Sequence, residues 1–177
     1  MELELFLERH VRTSQQHRRF YHFTDRKNLD LIRSHGLLSA RELRRLNLFQ
    51  RVATGGDENS LASDVTKGTD GYVCLCFTTS HPMHYVVRTQ RGLDPVYLHV
   101  SPEIIKLPGV MITNAPSNQN GVAPQLAATG LDGLDLEVLY KRTDWRDPAI
   151  QSRLQTAEKY EILIPKSIPV GAIVHGL

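Results

Sequence analysis

Apolar residues recur along the chain in two rhythms, helical and alternating. Leu3, Leu7 and Val11 fall at helical spacing and predict an amphipathic helix over about residues 2–16. Residues 20–24 then read as a short strand, and Thr24 or Asp25 can cap the helix that follows. Leu29 and Ile32 mark the buried stripe of that helix, and Gly36 supplies a left-handed stop. A third helix is predicted over 39–51, with Leu43, Leu46 and Phe49 inward and Arg41, Arg44 and Arg45 on the opposite face. Residues 53–71, with Gly55-Gly56 and the polar run Asp57-Glu58-Asn59-Ser60, carry the chemistry of a long loop. The continuous apolar run Tyr72-Val73-Cys74-Leu75-Cys76-Phe77 reads as a strand. Pro82 in a first turn opens a short helix from His81 to about Thr89. Strands are predicted at 95–100 and 110–113, a second long loop at 114–126, and helices at 133–140 and from Asp147-Pro148 to about Glu158. Strands at 160–164 and 170–174 complete the pattern.

Helices come first, then strands broken by short helices. That order predicts a single α+β domain over 1–177, with an N-terminal helix at about 2–16, a core at about 20–175 and a mostly antiparallel sheet. No glycine-rich dinucleotide fingerprint and no P-loop is present, so a bound nucleotide would be held by other means. No apolar run approaches the ~20 residues of a membrane-spanning helix. The start, Met1-Glu2-Leu3-Glu4, lacks the basic region of a secretory signal, which points to a cytoplasmic protein with no membrane partner. Cys74 and Cys76, the two cysteines, share one strand face. Two thiols so spaced do not make a structural zinc site, and small buried side chains in a reducing compartment account for them.

Net charge is +2 overall, but it is uneven. Residues 1–53 carry a net +5, rich in arginine, and residues 54–177 a net −3. Arginine forks match phosphate geometry, so a nucleic acid or dinucleotide fits this end; a solvated helix face accounts for the charge equally well.

Two segments carry chemistry. Glu161 interrupts the apolar run from Tyr160 to Ile164, and an ionised carboxylate in a buried strand is costly unless paired. Such a residue belongs at the mouth of a site. Far upstream, His22 and Thr24 alternate with Tyr21 and Phe23, which puts two hydrogen-bonding side chains on one strand face. On local pattern alone, a satisfied core histidine is the better explanation of His22. His81 and His84 stand three apart on a helix, yet no carboxylate completes a metal site at helical spacing, so no metal is expected. There is no nucleophile elbow.

The segments Tyr21-His22-Phe23-Thr24, Asn28-Leu29, Ile32 and Gly36-Leu37-Leu38 resemble the entry pattern of ADP-ribosyltransferase-like domains. The run Gly71-Tyr72-Val73 to Phe77, then His81-Pro82-Met83 and Tyr85, resembles the DarT family of DNA ADP-ribosyltransferase toxins. So does Asp144-Trp145-Arg146-Asp147-Pro148 leading to Tyr160-Glu161-Ile162-Leu163-Ile164. The resemblance implies a split β-sheet with NAD, the ADP-ribose donor, in its cleft and no metal. It implies Glu161 as the catalytic glutamate and Arg51 as the arginine supplied by a variable loop. His22 and Thr24 are implied on the nicotinamide-ribose side, Asn28 and Leu29 near the adenosine or phosphates, and Phe77, Met83 and Tyr85 as the nicotinamide wall. The family's further histidine has no counterpart in 114–126, which holds Asn114, Asn118 and Asn120 instead.

The implied function is mono-ADP-ribosylation of a base in nucleic acid, single-stranded DNA above all, by a toxin restrained by an antitoxin protein. Loss of nicotinamide builds positive charge on the ribose, which a carboxylate stabilises. Other readings are an ADP-ribosyltransferase acting on protein, an NAD glycohydrolase, an RNA 2′-phosphotransferase, and a silent nucleic-acid-binding module. The last has the arginine-rich first part in its favour and the 7% aromatic content against it.

Overall fold

The computed structural model describes residues 1–177. The chain opens with α1 (Leu3–Phe6), which widens into a π-helical turn over Leu7–Val11. The helix ends there rather than at residue 16. Buried Ser14 accepts the backbone N–H groups of Gln16 and His17 and turns the chain instead. Then follow β1 (Phe20–Asp25), α2 (Leu29–His35), β2 (Leu37–Leu38) and α3 (Ala40–Arg45). The helix expected over 39–51 stops at Arg45, because Asn47 takes a left-handed conformation at φ 56°. A 3-10 turn, Phe49–Arg51, follows, and Leu46 is exposed while Leu48 is buried.

The segment 53–71 contains a helix, α4 (Glu58–Lys67), capped by Asp57 and stopped by left-handed Gly68. Its apolar content is too low to mark it by periodicity, although both end signals stand in the sequence. Next come β3 (Tyr72–Cys76), α5 (Pro82–Gln90), β4 (Pro95–Val100), β5 (Met111–Thr113) and β6 (Gln125–Leu126). The short helices α6 (Ala127–Gly130) and α7 (Leu136–Tyr140) lead to α8 (Pro148–Ala157), β7 (Glu161–Pro165), β8 (Ser167–Ile168) and β9 (Ile173–His175). The last strand is shorter than expected, since Val170–Ala172 forms a 3-10 turn.

One sheet runs β6-β5-β7-β3-β1-β4-β9 with antiparallel neighbours, and β2 pairs with β8 beside it. β1 pairs with β4 along its whole length, and β3 likewise with β7. Between β1 and β3, however, a single register pair, Tyr21 with Cys76, joins the two halves. Beyond it the sheet parts, and the cleft begins.

Strand alternation sorts the residues at this gap. Val73, Leu75, Phe77, Ile162 and Ile164 enter the main core with Phe6, Phe20 and Leu98. Their neighbours Cys74, Cys76 and Glu161 line the cleft. Gly36 ends α2 at φ 76°, where a Cβ would lie 2.4 Å from the Ile168 carbonyl oxygen, so only glycine lets β8 pass this close. No helix of the chain is long and apolar enough to cross a membrane.

Candidate active site

The parting of β1 from β3 opens a cavity of about 550 Å3. Glu161 and His22 both line it, one from each half of the sheet.

Glu161 opens β7, in register with Cys76 on one side and Thr113 on the other. Its side chain is 13% exposed. Burial raises its pKa, the charge of Asp64 adds to the rise, and Ser117 opposes both. The Ser117 N–H donates to Glu161 Oε2 at 2.8 Å. Glu161 Oε1 faces His81 Nε2 at 4.0 Å.

His22 donates from Nδ1 to the Cys74 carbonyl at 2.9 Å, because a carbonyl can only accept. Burial lowers its pKa, so the neutral ring carries its proton on Nδ1 and offers the Nε2 lone pair. Thr24 Oγ1 accepts from Asn28 Nδ2 at 3.0 Å, which leaves its own O–H free to donate.

Asn28 lines the cavity, but its amide is spent within the chain. Nδ2 also donates to the Ala53 carbonyl, and Oδ1 accepts the Ala53 N–H, each at 2.9 Å. Asn28 therefore pins the loop that forms one wall rather than presenting free polar atoms to a ligand. Met83 lines the cavity.

Four expected site residues stand elsewhere. Leu29 packs in the core, while Leu31 of the same helix turns to the cavity and Ile32 borders both. Phe77 follows Cys76, so alternation sends it to the core face, where it meets Phe20 edge to face at 5.7 Å. Tyr85 is 67% exposed. On α5, Met83, Val87 and Arg91 succeed one another every four residues and share the cavity face, and Tyr85 points away from it. Arg51 is exposed and outside the cavity, although its neighbours Phe49 and Val52 line it.

The basic side chain inside is Arg91, the single lysine or arginine among the lining residues. It donates to the Gly55 carbonyl and, at 3.1 Å, to Asp57 Oδ2. It thereby fastens the 54–57 loop to the end of α5. Nothing local in the sequence marks Arg91; its spacing of eight from Met83 is the one available signal. Asn118, from the second long loop, also lines the cavity and donates to Ser60 Oγ at 2.8 Å, while its carbonyl accepts from Lys67. The loop 114–126 is thus tied to α4 and, through Ser117, to Glu161.

Cys74 and Cys76 face the cavity as protonated thiols, since burial and the charge of Glu161 push their pKa values up. They are poor nucleophiles. His81 and His84 diverge: His84 stacks on Tyr97 at 4.6 Å, and His81 turns toward Glu161. No group of three His, Cys, Asp or Glu side chains is placed to hold a metal ion.

The arrangement sets one half-buried carboxylate, one lone-pair acceptor and one guanidinium around a space of small-ligand size. The family model described as "ssDNA thymidine ADP-ribosyltransferase, DarT" matches residues 21–175. Among solved structures, Thermosipho africanus DarTG in complex with ADP-ribose superposes with a TM-score of 0.66 at 18% identity, over 88% of this chain and 42% of that one. The chain therefore spans less than half of that protein. Thermus sp. 2.9 DarT in complex with ADP-ribosylated ssDNA gives 0.61 at 17% identity, over 91% and 82% of the two chains. The same Thermus protein in complex with NAD+ gives 0.59 at 19% identity, over 91% and 81%. At these identities the structures share the fold. No curated protein matches the chain significantly.

Proposed function

The chain belongs to the DarT family, and from that membership we propose that its cleft binds NAD and transfers ADP-ribose to thymidine in single-stranded DNA. The observation that carries this reading is Glu161: a carboxylate on a paired strand, held by the Ser117 N–H, in the same cavity as His22. The catalytic core is then about residues 20–175, and an antitoxin is the partner that the toxin reading brings with it.

In the reaction, the bond between nicotinamide nitrogen and ribose breaks, and both its electrons go to nitrogen. Positive charge grows on the ribose, and ionised Glu161 stabilises it. A bond forms from the same ribose carbon to the acceptor atom of the base, whose proton passes to Glu161. His22 Nε2 accepts from a ribose hydroxyl or the carboxamide NH2, and Thr24 donates from its hydroxyl. Both act on the nicotinamide-ribose side, and Met83 walls the nicotinamide. Arg91 takes the diphosphate, for which its fork is suited, exchanging its hold on Asp57. Arg51, outside the cavity, is assigned to the phosphates of the acceptor strand. Bases in single strands enter such a cleft without the cost of unstacking a duplex.

NAD that binds the folded protein must raise its melting temperature. Labelled NAD, mixed with oligonucleotides, is expected to label thymidine-containing single strands. A protein that is stabilised by NAD yet leaves every oligonucleotide unlabelled would overturn the acceptor assignment; free nicotinamide without a DNA adduct would then identify a glycohydrolase.

A further inference from the structure

His81 makes two demands on its ring at once. It is the N-cap of α5, and its Nδ1 accepts the Met83 N–H at 3.2 Å. Accepting there requires a lone pair, so the proton of the neutral ring sits on Nε2. That Nε2 is buried and has no partner within the chain, and the side chain is 4% exposed. The nearest carboxylate oxygen is Glu161 Oε1, 4.0 Å away, and both residues line the same cavity. Buried donors without acceptors are rare in folded proteins and call for a reason.

We propose that His81 is a positioning residue for Glu161, its cap to α5 fixing the tautomer whose Nε2–H steers Oε1. The inference rests on the NAD-transfer reading and adds to it how the carboxylate is aimed. With Ser117 N–H on Oε2 and His81 N–H on Oε1, each oxygen has one donor on the protein side and lone pairs left for ribose and acceptor. An approach of about 1 Å brings the His81 pair into hydrogen-bond range. The ring acts as a neutral donor: burial first, then the charge of Lys159, pushes its pKa down to about 4. The other groups that face Glu161 are Asp64 of α4, whose charge opposes its ionisation, and the neutral thiols Cys74 and Cys76 of β3. Thr113 of β5 is its register neighbour. A donor to the ionised carboxylate favours its charged form and lowers its pKa.

His81→Asn separates the two roles. Asparagine caps a helix well, but it is too short to reach Glu161. The expected result is a melting temperature lowered only by the lost ring packing, with the cap kept, and an unchanged KM for NAD. The kcat falls by roughly ten- to a hundredfold, and the acid limb of its pH profile moves upward. A variant with wild-type kcat and an unmoved acid limb overturns the proposal. Should that variant fail to fold, the 15N chemical shifts of the His81 ring in the wild-type protein decide. The neutral Nε2–H tautomer near pH 7 supports the proposal, and the Nδ1–H tautomer or an imidazolium overturns it. Wild-type protein that releases no nicotinamide from NAD would defeat the parent reading instead, and the ring shifts would still settle the geometry of His81.

Discussion

The two ends of the cavity are built differently. At one end Glu161 sits on β7 between two paired strands, with cross-strand neighbours on both sides. At the other, the wall is the irregular stretch from Val52 to Asp57, held by side chains: Asn28 on Ala53, and Arg91 on Gly55 and Asp57. Chemistry that depends on sub-ångström placement gains from the first kind of support. A ligand that must enter and leave gains from the second, because a wall held by a few side chains opens at low cost. On the proposed reading, the cleft divides rigid chemistry from releasable binding.

The rigid end breaks most visibly at Glu161. Glu161→Gln should lower transfer on the order of a thousandfold, since the developing ribose charge loses its counter-charge. The same change should stabilise the fold. Burial holds the Glu161 pKa above its ordinary value. A raised carboxylate pKa means that the ionised group costs stability; the cost is full above the folded pKa and vanishes as pH falls below the unfolded one. The Glu161→Gln variant should therefore melt higher than wild type at neutral pH, with the gap narrowing on acidification. Melting curves over a pH series check both the sign and the window.

The fastened end divides into two kinds of support. Arg91→Ala removes the hydrogen bond to the Gly55 carbonyl and a partly exposed ion pair, the pair worth about 1 kcal/mol or less. It also removes the single guanidinium in the cavity, so NAD affinity should fall by roughly ten- to a hundredfold. Asn28→Ala should do the reverse in emphasis. It strands the Ala53 N–H and carbonyl and should cost about 1–3 kcal/mol of stability, with NAD binding weakened as the wall loosens. Denaturant melts and NAD titrations on both variants separate the roles; equal losses in both would erase the distinction.

How much of this was legible depended on which periodicity governed each residue. The strand period of two set His22 beside Thr24, and a carboxylate interrupting an apolar run singled out Glu161, from the sequence alone. The family resemblance carried whole segments but not the facing of each side chain within them. Phe77 stands one residue past Cys76 and so flips to the core, and Leu29 stands on the core side of a helix whose next turn faces the cleft. Helix α4 was hidden because its apolar stripe amounts to Leu61 and Val65 in an otherwise polar segment. Ser117 contributes through its backbone N–H, which no residue type announces. Arg91 joins the site only once α5 and the 54–57 loop are packed together, a fact of tertiary structure.

Tyr85 gives the smallest expected effect and the sharpest check on facing. The resemblance put it with Met83 on the nicotinamide wall. Two residues apart on α5, the two side chains lie about 200° apart around the helix axis. Met83 consequently lines the cavity, and Tyr85 is 67% exposed. Tyr85→Ala should leave NAD affinity and the melting temperature within error of wild type, whereas Met83→Ala should weaken NAD binding by opening the wall. The ring of Tyr85 remains free to stack on a base outside the cavity, where stacking is worth about 1–3 kcal/mol. Any loss in the Tyr85 variant should thus appear against the oligonucleotide and not against NAD. A weakened NAD titration for Tyr85→Ala would mean that α5 turns on ligand binding, and the cavity wall would then belong with the fastened end rather than the rigid one.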